Sequence, residues 1–459
     1  MQRSITFHGA AETVTGSRHL ISVNGKNILV DCGLFQGSRE LRDRNWEPFP
    51  IDPREIDAIV ITHAHQDHIG NLPRSVAQGY SGPIYATRAT IALCKISLPD
   101  SGRLQEEEAR RANRHGSRHQ PAMPLYTEQD AYASHKLFKA VSYDTWTPLP
   151  GRAQFRFLPA GHILGSAFAE ITFDDGVRIL MGGDLGRYDT PLIKDPTPID
   201  AAEFLVVEST YGDRSHAHEN VMDKLSELLN ETMQTGGALL TPSFSIGRTQ
   251  ELLYYIDQLQ EQGRAPRIPI YIDSPMATSV THVYSSSVEE RDDEAIDIYS
   301  KGGDPLLPAG VTFVRDQEQS KALNRERGPL MIIAGSGMCN GGRIIHHLKQ
   351  RIALESTIVL FTGYQAQGTL GRRILEHEEE VMIHGELIPV RARVEKLNSL
   401  SAHADRDEIM RWLRTFKSPP QTTFIVHGEP SAQHALREKI ELELGWKVEV
   451  PRHHEEFVI

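Results

Sequence analysis

The sequence predicts an α/β protein in which a parallel sheet flanked by helices is inserted into an outer domain made from both chain ends. Three observations carry this. Residues 1–208 read as short strands rich in β-branched residues and bounded by turn residues. From about Tyr211 strands alternate with helices, a rhythm that implies a parallel sheet covered by helices. After about Glu379 short strands return. The corresponding division is an N-terminal part of the outer domain at 1–210, the insertion at 211–385 and a C-terminal part at 386–459. A length of 459 residues suits two or three domains, and 39% hydrophobic with 24% charged residues excludes wholesale disorder.

The elements follow in order. Apolar runs at 27–30 (NILV), 56–61 (IDAIVI), 155–158 (FRFL), 177–181 (VRILM) and 204–207 (FLVV) read as strands. Asn24-Gly25 and Asp175-Gly176 are hairpin signals between them. Residues 102–119 read as a charged, exposed helix. Residues 219–234 place Val221, Leu225, Leu228, Leu229 and Met233 at helical spacing, with Gly236 as the stop. Strands at 237–244, 268–273, 329–337 and 356–363 then lead into helices beginning near Gly247, Pro275, Gly342 and Gly368. A helix near 406–415 and a strand at 422–426 complete the outer domain. No internal repeat or low-complexity tract interrupts the pattern.

Composition narrows the function classes. The balance of 49 Lys+Arg against 61 Asp+Glu gives −12, which disfavours indiscriminate binding to nucleic acid but leaves room for a local basic groove. Three cysteines, Cys32, Cys94 and Cys339, are too few and too scattered for a disulfide framework or a thiolate zinc site. No signal-peptide or membrane-spanning run occurs, so the expected compartment is the cytoplasm and no membrane partner is expected. The 21 histidines against 4 tryptophans are the anomaly, because imidazole is the commonest metal ligand.

They cluster in THAHQDHIG at 62–70, directly after an apolar strand. His63, His65, Asp67 and His68 fall within six residues, and alternate spacing sends the imidazoles of His63 and His65 to one side. Carboxylate and imidazole without thiolate suit a catalytic Zn²⁺, with Mn²⁺ or Fe²⁺ as alternatives. Other apolar runs end on ligand-type residues too: Asp31, His162, Asp184, Glu208 and His427. Strand ends collect on one sheet edge, where sites in layered α/β folds are built.

These residues resemble the metallo-β-lactamase superfamily and, within it, the β-CASP nucleases. HxHxDH at 63–68, then His162 and Asp184, is similar to the superfamily's metal pattern. The β-CASP marks are Glu208 in VESTYG, His403 in SAHAD and His427 in VHG. The resemblance covers essentially the whole chain, and leans towards bacterial and archaeal proteins similar to the catalytic subunit of the mRNA 3′-end cleavage factor. It implies an αββα sandwich with an inserted β-CASP domain, and a di-zinc centre. His63, His65 and His162 would hold one ion, Asp67, His68 and His427 the other, with Asp184 between them. Asp31 would buttress the histidine loop from behind. The family also implies a homodimer and a single-stranded RNA substrate, cleaved internally or from a 5′ end.

The implied chemistry is phosphodiester hydrolysis, with two cations activating water and offsetting charge on phosphate oxygens. Asp67 belongs to the catalytic set. His403 is the candidate general acid, kept protonated by Glu208. Substrate contacts are expected from the Gly-rich 334–343 segment through Ser336, from Arg248 in PSFSIGR and from Ser401. For Arg248 the competing reading is a helix-start arginine paired with a nearby acid. Arg103, Arg110, Arg111, Arg114 and Arg118 read chiefly as a solvated face. The alternatives are a DNA nuclease, a thioester, lactone or small phosphoester hydrolase of the same superfamily, and a non-catalytic RNA-processing scaffold. The paired Glu208 and His403 argue against the small-molecule hydrolases, and the intact ligand set argues against the scaffold.

Overall fold

The computed structural model describes residues 3–115, 121–216, 219–363, 365, 368–397 and 399–459. Two compact units result: an outer one (1–190, 194–215, 403–459) and an inserted one (191–193, 216–402).

In the outer unit two seven-stranded sheets are formed. The first runs Glu456–Val458, Arg3–Phe7, His19–Val23, Lys26–Val30, Ala58–Val60, Ile84–Ala86 and Phe138–Ala140 across its width. The second runs Val448–Glu449, Thr422–Val426, Phe204–Glu208, Arg178–Met181, Ala167–Phe173, Ala153–Pro159 and Thr147–Leu149. Alternation along each strand decides what the faces do. Ile28, Val30 and Val60 of the first sheet share one core with Phe155, Phe157, Ile179, Val206 and Phe424 of the second. The opposite face of the second sheet, with Leu180, Leu205, Val207 and Ile425, is closed by helices Arg406–Leu413 and Pro430–Leu444 through Met410, Trp412, Leu436 and Ile440. Leu29 and Ile59 on the far face of the first sheet are buried as well.

Local signals set the hairpins. Asn24 (φ 52°) and Gly25 (φ 71°) are both left-handed, as a two-residue turn matched to strand twist requires. The exposed helix expected at 102–119 starts earlier, spanning Arg88–His115. Its first half buries Leu93, Cys94 and Leu98, so only the second half is charged and solvated. There Arg103 pairs with Asp100 and Glu107, while Arg110, Arg111 and Arg114 are exposed; Arg118 lies outside the described residues.

The inserted unit holds a six-stranded parallel sheet ordered Val311–Phe313, Ile270–Asp273, Leu330–Ala334, Ala238–Pro242, Thr357–Phe361, Arg393–Lys396. Here the structure departs from the division at 385/386. Strand Arg393–Lys396 pairs in parallel with Thr357–Phe361, and the hairpin Glu380–Ile383/Glu386–Pro389 contributes Val381, Ile383 and Ile388 to the same core. The return to the outer unit therefore falls at His403, and the outward crossing at 215/216 rather than 210/211.

One buried ion cluster organises this sheet. Asp273, fully buried, accepts from Ser320 Oγ (2.6 Å) and His347 Nε2 (2.7 Å) on Oδ2, and from Arg343 Nη1 (2.6 Å) on Oδ1. Burial opposes its charge, but these three donors hold the carboxyl below its ordinary range. Asp273→Ala is expected to destabilise by about 3–5 kcal/mol in urea unfolding, because Arg343 loses its counter-charge and His347 and Ser320 lose their acceptor. Its contribution is present above the unfolded carboxylate value of about 3.9 and fades as pH falls through the lower folded value. A pH-independent difference between wild type and variant would contradict this account.

All three cysteines are free and buried. Among the described residues no helix is long and apolar enough to cross a membrane.

Candidate metal centre

Six of the strands described above deliver the ligand-type residues at their C-terminal ends. Lys26–Val30 and Ala58–Val60 are parallel neighbours, ending at Asp31 and at the loop carrying His63. Arg178–Met181, Phe204–Glu208 and Thr422–Val426 are parallel to one another, and Ala153–Pro159 runs the same way across its antiparallel partner. Asp184, Glu208, His427 and His162 therefore emerge on one edge.

The histidine loop is fixed from behind. Asp31 Oδ1 accepts the Thr62 backbone N–H (2.8 Å), and Oδ2 accepts the Thr62 hydroxyl (2.8 Å) and His68 Nδ1 (2.7 Å). The last bond leaves His68 Nε2 for the centre, the usual logic of a ligand oriented by a carboxylate behind it. Ser17 donates its N–H to the Asp67 carbonyl (2.8 Å), and Gln66 reaches Ser97 O (3.4 Å).

Two ligand sets result. His63, His65, His162 and Asp184 present ligand atoms all within 4.8 Å of one another, as do Asp67, His68 and His427. In the first set His65 Nδ1 lies 3.1 Å from both His63 Nε2 and His162 Nε2, and Asp184 Oδ2 lies 3.3 and 3.4 Å from the same two nitrogens. Atoms sharing one tetrahedral cation at ~2.0–2.1 Å are spaced about 3.4 Å apart. In the second set His427 Nε2 is 3.2 Å from Asp67 Oδ2 and 3.4 Å from His68 Nε2. Asp184 Oδ1 faces this set, 3.3 Å from His68 Nε2. That oxygen is buried with no hydrogen-bond partner among the described residues. A buried carboxylate oxygen left in this way is costly unless a cation takes it. The donor set thus fits divalent metal ions, and Asp184 faces both positions.

Electrostatics separates the two sets. Burial pushes His63 and His162 down and His65 to about 3, so these imidazoles are neutral and their lone pairs available. Burial also opposes charge on His68 and His427, but Asp184, with Asp31 at His68 and Asp67 at His427, raises both. Asp184 itself is held well below the usual carboxylate range by His427, His68 and His63 despite its burial. A cation entering the second set displaces protons.

His403 stands beside these ligands, its ring 4.5 Å from that of His162 and 5.9 Å from that of His427. Its Nδ1 lies 3.0 Å from both oxygens of Glu208. Glu208 is fully buried and pinned by the N–H groups of Leu185 (2.7 Å) and Thr210 (3.3 Å). An isolated β-bridge between Gly186 and His403 aligns the two backbones. Burial disfavours an imidazolium here, yet Glu208 and Asp184 outweigh it and hold His403 up to about 9.

Residues 16–157 match the profile of the metallo-β-lactamase superfamily, 249–374 that of the β-CASP domain, and 387–451 that of the Zn-dependent metallo-hydrolase RNA specificity domain. The chain is 39% identical over 445 residues to ribonuclease TTHA0252 of Thermus thermophilus, covering 97% of each. It belongs to the β-CASP family of the metallo-β-lactamase superfamily. This β-CASP protein is also 29% identical to the transcription termination factor FttA of Methanocaldococcus jannaschii, covering 93% of this chain and 67% of that one. An RNase J-like protein of the same organism is 29% identical, with 93% and 92% covered. In fold it is similar to a crystal structure of a protein of unknown function from Enterococcus faecalis, at a TM-score of 0.58 and 14% identity over 100% of both chains.

In the β-CASP protein the structure brings His63, His65, Asp67, His68, His162, Asp184, Glu208, His403 and His427 together, with Asp31 behind. Ser336, Arg248 and Ser401 belong to the inserted unit. Ser336 Oγ accepts the Asn340 N–H (3.2 Å), and Arg248 starts helix Arg248–Glu261 with Nη1 on Glu251 (2.9 Å), the pairing that competes with phosphate binding. Sequence reasoning missed Thr62, Ser17 and Thr210, whose hydroxyl lies 3.1 Å from His427 Nδ1. Sequence adjacency could have flagged Thr62, next to His63, and Thr210, two residues after Glu208, but Ser17 carries no such signal.

Proposed function

We propose that this β-CASP protein is a zinc-dependent ribonuclease that hydrolyses single-stranded RNA. The observation that carries the reading is Asp184, which turns one oxygen to each of two ligand sets beside a buried-carboxylate–histidine pair. Identity to a curated ribonuclease across 97% of the chain supports RNA over small esters. His63, His65, His162 and Asp184 would hold one Zn²⁺, and Asp67, His68, His427 and Asp184 the other, with Mn²⁺ or Fe²⁺ as substitutes. Such ions when bound lower the pKa of water towards ~7 and offset charge on phosphoryl oxygens.

The chain's own residues supply the rest. Glu208 accepts a hydrogen bond from Nδ1–H of His403, which fixes the ring and keeps it protonated, so that Nε2–H can give its proton to the departing ribose oxygen. Asp67 orders His427 through its Oδ2. Ser336, Ser401 and Arg248 remain candidates for holding the RNA, the last only by exchanging Glu251 for phosphate.

The test is zinc content together with cleavage of RNA labelled at either end, for wild type, Asp67→Ala and His403→Ala. About two zinc ions per chain, and cleavage by wild type that both variants lose, is the expected result. The product ladder separates internal from 5′-end cutting, and DNA of the same sequence measures sugar preference. Intact RNA alongside rapid turnover of a lactone or thioester would overturn the ribonuclease reading.

A further inference from the structure

A second cluster of histidines lies in the outer unit and contains none of the residues assigned above. A cavity of about 70 Å³ is lined by His8, Arg18, Phe35, Arg44, Glu47, Pro48, Pro50, His453 and His454. That is several times the ~10–15 Å³ needed for a single water.

The cavity is built rather than incidental. Arg18 is 4% exposed, its Nε and Nη2 are spent on Gly33 O (2.9 and 2.7 Å), and its guanidinium lies 5.1 Å from the ring of Phe35 and 5.4 Å from that of Phe49. Among the described residues its Nη1 has no protein partner. Asn45, 4% exposed, locks the wall by bonding both the N–H and the carbonyl of Phe35. Arg44, its neighbour, lies over the other contact of that ring at 5.6 Å. His454, left-handed at φ 67°, turns its ring so that Nδ1 meets His8 Nδ1 at 2.9 Å. His453 packs against His454 with centroids 3.8 Å apart and ring planes tilted by 42°, and its Nδ1 is buried without a partner.

Charge decides what such a cavity can take. Two guanidinium groups and three imidazoles face it, against one carboxylate, Glu47, which is exposed. Burial and mutual repulsion push His8 down to about 4 and His453 to about 4. The two permanently charged guanidinium groups disfavour a cation here, whereas an oxyanion can accept from Arg18 Nη1, from Arg44 and from the N–H groups that the imidazoles turn to it.

We propose that this pocket is a phosphate-binding site, separate from the metal centre, in which Arg18, Arg44, His8 and His454 receive a phosphate monoester or diester group. Two sources share that chemistry: the backbone of a bound RNA, and free phosphate or a small phosphomonoester. The site does not depend on the ribonuclease reading, because its phosphate arm involves no RNA.

The test uses zinc-loaded protein carrying His403→Ala, so that RNA is not consumed. Inorganic phosphate and a short single-stranded RNA are titrated calorimetrically into this protein and into versions with Arg44→Ala or His454→Gln added. Any phosphate taken by the metal centre is common to all three and serves as the reference. Each added substitution is expected to weaken a phosphate event at least about tenfold, the range for one charge-assisted bond. The histidine ring signals of His8, His453 and His454 should also shift on adding phosphate. Parallel loss of RNA affinity assigns the pocket to the RNA backbone, and unchanged RNA affinity assigns it to free phosphate. Phosphate binding unaltered by both substitutions would overturn the site, even if RNA affinity fell.

Discussion

Asp184→Asn is expected to empty both metal positions at once, whereas loss of any single histidine weakens one. The amide keeps the shape but cannot serve two cations, and it removes the charge that His68 and His427 both face. Zinc should fall from about two per chain to below one, and turnover by on the order of 10³-fold or more, since each 1.36 kcal/mol is tenfold and several are lost. Asp31→Asn, which loosens His68 and Thr62 without removing a ligand, should cost only about 10–100-fold in metal affinity. Metal retention should also fall as pH drops from about 8 to about 5, because protons return to His68 and His427 where the cation must displace them. Full zinc content and activity in Asp184→Asn would show that the carboxylate does not link two ions.

The second large effect is at the acid. His403→Ala should lower kcat by about 10²–10⁴-fold while leaving zinc content unchanged. The decisive readout is the leaving group. A phosphodiester that expels an aryl oxide needs no proton, so the variant should cleave it at close to the wild-type rate. Glu208→Gln should act in the same direction but through pH. Its amide oxygen can still accept from Leu185, but the lost charge lets His403 fall from about 9, so the alkaline limb of activity moves to lower pH. Equal losses on RNA and on the activated ester would reject a proton-donating role.

Much of this centre was legible in the chain because its ligand-type residues sit at or after the ends of apolar strands, where local pattern is strongest. His63, His162, Asp184 and His427 lie one to three residues past a strand, and Glu208 closes its own strand. His65, Asp67 and His68 follow His63 in the same loop and short helix, and strand pairing then gathers them all on one edge. What supports them was not legible. Thr62, Ser17 and Thr210 are common polar residues whose partners come from distant strands, such as Thr210 with His427. The boundary at 403 was missed for a related reason. Residues 393–396 look like any short strand, and only their pairing with 357–361 assigns them to the insertion. Similarly, the buried first half of helix Arg88–His115 is apolar and carries Pro99, which hides its continuity with the charged half.

The partners Asp67 and His427 are 360 positions apart, and Glu208 and His403 are separated by 195. Domains emerge from the ribosome N-terminal end first, at about 5–20 residues per second. By then HxHxDH, His162 and Asp184 are already available, but the proton donor and the last ligand follow only after the whole insertion has been made. A nascent chain that stops within the insertion therefore lacks both His403 and His427. The fold thereby makes completion of this centre wait on synthesis of the insertion that separates its two halves along the chain.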